Sequence, residues 1–275
     1  MAKLQWSSQM TEVQGWKWSG IMEEKQAGIR INKYLSEAGV CSRRAADREI
    51  EKGNVWIDGR RAVTGDRIMP GMKVTFCGKE VSLEDEEILI AFHKPVGIVC
   101  TAEKREKNNI IDYIGYPKRI YPVGRLDKDS EGLILLTNQG ELVNKMMRAG
   151  NYHEKEYVVT VNKDITGDFL NQMRNGLYLE ELDVHTRPCK VKKVSARTFQ
   201  IILTQGYNRQ IRRMCEVCGY RVRKLVRTRI MNILLGDLEA GTYRDLTGEE
   251  LQELKKLTAH SYSAPKSGTK GTVRK

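Results

Sequence analysis

A polar stretch with the residue types for acid–base or nucleophilic chemistry occupies residues 124–133 and has the sequence GRLDKDSEGL. It leads directly into the apolar residues 134–136, a pattern typical of a polar loop that enters a buried strand. Asp127 would then lie at the rim of a core, where Arg125 favours the ionised carboxylate. Such a carboxylate can act as a base or as a nucleophile. Many Asp residues in loops of this kind only form turns, so the loop alone leaves both roles open.

Metal and cofactor chemistry have little support in the sequence. The run from Asp127 imitates the start of a calcium loop, but its twelfth position is Asn138, where a bidentate Glu is required. Cys215 and Cys218 have metal or redox spacing, yet neither a second pair nor a His accompanies them. The six cysteines are scattered, which predicts reduced thiols, and no nucleotide-binding glycine motif occurs. We therefore expect no metal and no cofactor.

The charge of the chain predicts a polyanionic partner. The formal net charge is +12, and the last 18 residues contribute four of these charges, so the remainder keeps 12 − 4, or +8. Nucleic acid is favoured over an anionic membrane surface, because no basic amphipathic helix stands out. No apolar run is long enough to span a bilayer, and the first residues do not resemble a signal peptide. We expect a cytoplasmic protein.

The elements that would position Asp127 belong to a region at 88–257. Strands and helices alternate irregularly there, which favours an α+β domain over a doubly wound sheet. We predict strands at 88–92, 133–137, 154–161, 189–194 and 198–204, and helices at 110–114, 138–147, 166–176 and 247–257. Asn138 and Thr247, each with Glu three residues later, are predicted helix caps.

A smaller basic module is predicted at 29–83. Two short helices, at 29–38 and at 43–52, are predicted, and Ser42 is the predicted cap of the second. They precede a hairpin with the turn Asp58-Gly59. About 55 residues is near the minimum for an independent core, so we expect an accessory module. Its basic side chains cluster on the two helices, at Arg30, Lys33, Arg43, Arg44 and Arg48. The flanking segments are an extension of uncertain order at 1–28 and a basic, disordered tail at 258–275.

A second basic segment lies between residues 205 and 230. It holds eight Lys and Arg residues against the single acid Glu216. Like charges at this density are costly unless an anion or an acidic side chain neutralises them.

Three groups of residues carry a family resemblance. The run RINKYLSEAGVCSRRAAD, with GNV and IDGR after it, resembles the S4 RNA-binding domain over 29–83. The runs GRLDKDSEGLILLTNQGEL, HEKEY and NRQIRRMC resemble the RsuA-type ribosomal RNA pseudouridine synthases. Within that family the chain is most similar to members that act on large-subunit (23S) ribosomal RNA. The resemblance covers 29–257 and implies a synthase domain with a mixed, largely antiparallel sheet.

The resemblance also implies roles for individual residues. Asp127 would be the essential carboxylate, Tyr157 the aromatic residue against the uracil, and Arg212 the arginine paired with Asp127. Further RNA contacts are expected at Arg125, Arg209 and Arg213. The implied enzyme is a monomer that isomerises uridine to pseudouridine in ribosomal RNA, without a cofactor or a membrane partner. The alternatives are another ribosomal site, transfer RNA, or a non-catalytic RNA-binding assembly factor, which would not need this set of residues.

Overall fold

The computed structural model describes residues 28–83 and 86–261, and the chain divides into two compact units between Glu86 and Glu87. Residues 1–27 of the predicted extension, and the predicted tail from residue 262, lie outside the described residues. Within the described ranges, no helix has the length and apolar character needed to cross a membrane.

The first unit packs two helices against small sheets. Its elements are β1 (Ile29–Arg30), α1 (Ile31–Glu37), α2 (Arg43–Glu51), β2 (Val55–Ile57), β3 (Arg60–Arg61), β4 (Arg67–Ile68), β5 (Val74–Phe76) and β6 (Lys79–Val81). The larger sheet has the order β3-β2-β5-β6, and β1 pairs with β4. The side chain of Ser42 caps α2 as predicted, by accepting a hydrogen bond from the Ala45 backbone N–H at 3.3 Å.

Two local predictions for this unit have different outcomes. Helix α1 begins two residues later than predicted, because Ile29 and Arg30 form a strand that pairs with β4. The predicted turn is confirmed, since Asp58 and Gly59 have φ values of 46° and 81°, which a type I′ turn requires.

The second unit is built on one large sheet. Its elements are β7 (Leu89–Lys94), α3 (Ile110–Ile114), β8 (Tyr121–Pro122), β9 (Glu131–Thr137), α4 (Gly140–Met147), β10 (Lys155–Val161), α5 (Gly167–Asn175), β11 (Tyr178–Leu179), β12 (Val184–His185), β13 (Lys190–Ser195), β14 (Thr198–Leu203), α6 (Gln210–Val217), β15 (Val222–Ile230), β16 (Ile233–Leu234), β17 (Tyr243–Asp245) and α7 (Gly248–Thr258). The sheet order is β13-β14-β10-β15-β9-β7-β17, with β8 beside β9 and β16 beside β15. Only the pairing of β9 with β15 is parallel among the described strands of this sheet. The predicted α+β class and mixed, largely antiparallel sheet are confirmed.

Strand β9 lies inside the sheet and is buried on both faces. Leu133 and Leu135 pack in one apolar cluster, whereas Ile134 and Leu136 pack in another. This explains the uninterrupted apolar run after the polar loop, since a strand with two buried faces does not alternate with polar residues.

One predicted helix cap is wrong. Asn138 does not cap α4, because its Oδ1 accepts a hydrogen bond from the Ile88 backbone N–H at 3.0 Å and the helix begins at Gly140. The side chain thus joins the start of the β7 segment to the end of β9. The capping box of Thr247 and Glu250 at the start of α7 is confirmed.

Candidate active site

The loop that carries Asp127 is held by backbone hydrogen bonds on both sides of this residue. The buried Leu126 donates its N–H to the Cys100 Sγ at 3.3 Å, and the Lys128 carbonyl accepts from the Gly97 N–H at 2.7 Å. The Ser130 N–H closes a turn onto the Asp127 carbonyl at 3.1 Å. With Leu126 turned into the core, the neighbouring Asp127 side chain faces a cleft.

The cleft is open to solvent and has a volume of about 520 Å³. Arg125, Asp127, Asp129 and Arg209 line it. The Asp127 side chain is 34% exposed, and its Oδ2 lies 3.8 Å from the Arg209 Nη1. The same guanidinium lies 3.2 Å from Asp129. The structure therefore brings three predicted site residues together, and adds Asp129 as an acid that sequence reasoning left out.

The predicted pairing of Arg212 with Asp127 is wrong in this structure. The Nη2 of Arg212 donates to the Asp129 carbonyl at 2.8 Å and to the Ser130 Oγ at 3.2 Å, and it lies 3.2 Å from the Asp129 carboxylate. The guanidinium near Asp127 is that of Arg209. Arg212 is buried. Its hydrogen bonds to the Asp129 carbonyl and the Ser130 Oγ stabilise the turn that follows Asp127. Burial alone would raise the pKa of Asp129, but the hydrogen bond from Arg209 and the charge of Arg212 hold that pKa below its usual range.

Two further cations support the loop, and no role in the site was predicted for either of them from the sequence. Arg227 is 2% exposed, and its guanidinium donates to the Leu133 carbonyl at 2.6 Å and the Arg125 carbonyl at 3.4 Å. Lys94 is fully buried and donates to the carbonyls of Pro95 and Ile98, both at 2.8 Å. Burial lowers the pKa of Lys94, whereas the charges of nearby acids, among them Asp127, act to raise it. The Asp127 side chain is thus carried by a loop whose backbone is hydrogen-bonded to the buried guanidinium of Arg227.

Comparison with known proteins identifies the family. Residues 88–217 match the model for RNA pseudouridylate synthases, and residues 29–74 match the model for the S4 domain. The dual-specificity RNA pseudouridine synthase RluF of Escherichia coli K12 is 53% identical over 246 residues, which are 89% of this chain and 84% of that protein. The chain belongs to the RNA pseudouridine synthase family.

More distant relatives agree with this assignment. The ribosomal large subunit pseudouridine synthase B of Bacillus subtilis is 34% identical over 244 residues, covering 86% of this chain and 99% of the relative. A crystal structure described as a pseudouridylate synthase superposes with a TM-score of 0.61 at 26% identity, covering 84% of this chain and 100% of that one. The enzyme is a pseudouridine synthase with an S4 domain, so the resemblance drawn from the sequence is confirmed.

Tyr157 of this pseudouridine synthase lies on β10 and is half-buried. Its partner in register on β15 is Arg227, and its ring packs against the apolar cluster that contains Leu126. The tyrosine is therefore positioned by the same elements as the Asp127 loop.

The basic segment of the synthase is largely neutralised within the protein. Arg229 lies 2.9 Å from Glu154 and 3.3 Å from Glu156, and Arg213 forms an ion pair with Glu181. Much of the predicted positive charge is thus balanced by acids that are distant in sequence. Arg213 does not line the cleft, whereas Arg209 does.

In the S4 unit, the predicted basic side chains lie mainly at the surface. Arg30, Arg43, Arg44 and Arg48 are exposed, and Lys33 is half-buried with its Nζ 3.8 Å from Glu37. These exposed guanidinium groups are available to phosphates.

Replacing Arg212 by Met should lower turnover by about a hundredfold, because the turn that aims Asp127 would lose its brace. It should also lower the free energy of unfolding by about 1–3 kcal/mol, since the buried acceptors around Ser130 lose their donor. Turnover is measured as tritium release from C5-labelled uridine in RNA, and stability by urea unfolding.

The matched control is Arg197→Met, because the guanidinium of Arg197 is exposed and pairs with the exposed Asp164. This control should change stability by less than about 0.5 kcal/mol. If Arg212→Met abolished turnover with no loss of stability, Arg212 would act on the reacting groups directly and not by positioning the turn.

Proposed function

We propose that this pseudouridine synthase isomerises uridine at a specific site in large-subunit (23S) ribosomal RNA, with Asp127 as the catalytic carboxylate. The observation that carries the proposal is the Asp127 side chain, held by a braced loop at an open cleft between Arg125 and Arg209. Transfer RNA is the second candidate substrate, because the 53% identical relative from Escherichia coli is named a dual-specificity enzyme. Either substrate class places the activity in the cytoplasm.

The chemistry requires one carboxylate and no redox step. The bond from uracil N1 to the ribose C1′ breaks, the uracil turns, and a bond from C5 to C1′ forms while C5 loses its proton and N1 gains one. Asp127 would either attack C1′ or remove the C2′ proton. Both mechanisms are compatible with a carboxyl side chain that is one-third exposed in the cleft.

The target base must leave its stack before it reaches the cleft. This costs a few kcal/mol, which stacking and substitution by protein side chains can offset. We assign stacking on the uracil to Tyr157, whose ring packs against the apolar cluster that contains Leu126 of the loop. We assign replacement of the uracil in the RNA stack to the exposed Arg125. Arg209 can exchange its contacts with the two acids for an RNA phosphate, because its side chain is 41% exposed. Arg213 remains a proposed contact only through exchange of its Glu181 ion pair.

The test is a map of pseudouridines in total RNA from cells with and without the gene. We expect one large-subunit uridine to remain unmodified in cells without it, and restoration by the wild-type gene. Loss of a pseudouridine in transfer RNA alone would favour the second candidate. An unchanged map would contradict the proposed function.

The S4 unit is proposed to bind the RNA backbone through its exposed arginines. Replacing Arg43 and Arg44 by Ala should weaken RNA binding and raise KM, because phosphate contacts supply affinity. Each lost contact should also reduce the slope of log affinity against log salt by about 0.7, so the pair should reduce it by about 1.4. Filter binding at several salt concentrations measures both quantities.

A charge-matched control replaces Lys255 and Lys256 on α7, which lie near Glu87 and Glu253. The control should leave the salt slope close to that of the wild type. If the variant with Arg43 and Arg44 replaced kept the wild-type salt slope, helix α2 would not contact phosphates.

A further inference from the structure

Trp56 is an exposed aromatic residue on the outer face of the S4 unit's larger sheet. Its neighbours Val55 and Ile57 are 0% and 1% exposed and point into the core, whereas Trp56 is 37% exposed. This follows from the alternation of side chains along β2. The proposed activity uses neither this ring nor the surface around it.

The ring lies in a row of side chains that crosses the sheet. In register with Trp56 are Arg61 on β3 and Thr75 on β5. The guanidinium carbon of Arg61 is 5.6 Å from the ring centroid, within the range of a cation–π contact. A Cβ at Gly53 would come within 3.3 Å of the Arg61 Nη1, so the absence of a side chain there makes room for the arginine.

A shallow cleft of about 400 Å³ adjoins the ring. Trp56, Thr75 and Lys73 form part of its lining, and Gly59 and Gly78 lie in the turns at its rim. A Cβ at either glycine would have no atom within 4 Å, so the space above these turns is open. A planar group can therefore approach the indole.

The net positive charge of the S4 unit favours a polyanionic partner. Residues 29–83 hold eleven Lys and Arg against seven Asp and Glu, a balance of 11 − 7, or +4. Arg61 and Lys73 flank the ring and can meet phosphates, while Asp58 and Glu80 nearby can accept hydrogen bonds from base amino groups. An aromatic ring between cations is the arrangement that binds single-stranded nucleic acid by stacking.

We propose that this face is a second RNA site, at which a nucleobase of a single-stranded segment stacks on Trp56 and its phosphates meet Arg61 and Lys73. The site is distinct from the arginines of α2 and from the Asp127 cleft. The proposal rests on the proposed function, because it assumes an RNA substrate. Stacking is tolerant of base identity, so the site adds affinity for an unpaired flanking strand more than it adds sequence specificity.

The first test measures the affinity for an oligoadenylate, which contains no uridine and so cannot react. Trp56→Ala should weaken binding by about tenfold or more, whereas Trp56→Phe should stay within about threefold of the wild type, since each base–aromatic stack has a large effect that any aromatic ring can supply. The salt slope should stay unchanged in Trp56→Ala and fall by about 0.7 in Arg61→Ala, because only the latter removes a phosphate contact. Val63→Ala is the control, since Val63 is 60% exposed in the same unit.

The second test follows the indole directly in an enzyme whose Trp6, Trp16 and Trp18 are replaced by Phe, which leaves Trp56 as the only tryptophan. Oligoadenylate should quench its fluorescence over the concentration range of binding. If oligoadenylate left the fluorescence of Trp56 unchanged, and Trp56→Ala bound it with the wild-type affinity, the proposal would be overturned and a protein partner would be left as the occupant of this face. Tritium release by the wild-type enzyme is assayed separately, so a failed second site is distinguished from a failed pseudouridine synthase activity.

Discussion

Replacing Asp127 by Asn should lower pseudouridine formation by about a thousandfold or more, within the range expected when an acid–base group is lost. The amide preserves the size of the side chain but can neither attack C1′ nor accept the C2′ proton. Tritium release from C5-labelled uridine in a ribosomal RNA fragment measures the rate.

The same variant should bind RNA within a few-fold of the wild type and unfold at nearly the same urea concentration. The only ion pair described for the Asp127 side chain is the 3.8 Å contact with Arg209, and exposed pairs contribute about 1 kcal/mol or less. Asp164→Asn is the matched control, because Asp164 is exposed and pairs with Arg197 at 2.8 Å. Tritium release near the wild-type rate by Asp127→Asn would remove Asp127 from the mechanism.

Local patterns in the sequence were sufficient to place the Asp127 loop before its strand. The signals are short-range: a polar run, Gly132, and apolar residues that continue without alternation. The same holds for the cap at Ser42 and for the turn at Asp58-Gly59. Each of these features depends on residues within a few positions of one another, so the chain alone determines them.

The partner of Arg212 could not be derived in this way. Asp127 and Asp129 are two residues apart, and which one faces α6 depends on the turn closed by Ser130 and on the placement of a helix 80 residues later. The family resemblance implied a pair of Arg212 with Asp127. In the structure Arg209 lies beside Asp127, and Arg212 pairs with Asp129.

Which cations are buried could not be predicted from the sequence either. Arg227 and Arg229 occur in one basic run of β15, yet Arg227 points beneath the loop and Arg229 binds Glu154 and Glu156. The pairing of β15 with β9 and β10 determines these environments. No local sequence pattern predicts that pairing.

Replacing Gly132 by Ala should destabilise the catalytic unit by about 3 kcal/mol or more. Gly132 has φ of 111°, a conformation that a residue with a side chain adopts only with strain, costing about 1–3 kcal/mol. A Cβ there would also overlap the Arg227 backbone, which faces Gly132 in the parallel pairing of β9 with β15. The overlap can be relieved only if β9 and β15 move apart. Overpacking of this kind costs a further ~1–3 kcal/mol. Urea unfolding of the full chain measures the loss.

Gly115→Ala separates the effect of strain from that of the overlap. Gly115 also has a positive φ, of 60°, but a Cβ there would have no atom within 4 Å. Its substitution should cost only about 1–2 kcal/mol, the ordinary penalty of a left-handed residue. Because β9 begins where the Asp127 loop ends, Gly132→Ala should also lower the turnover of the fraction that remains folded, whereas Gly115→Ala should not. If both variants lost the same stability and kept full turnover, the close contact of Gly132 with Arg227 would not be what fixes the loop.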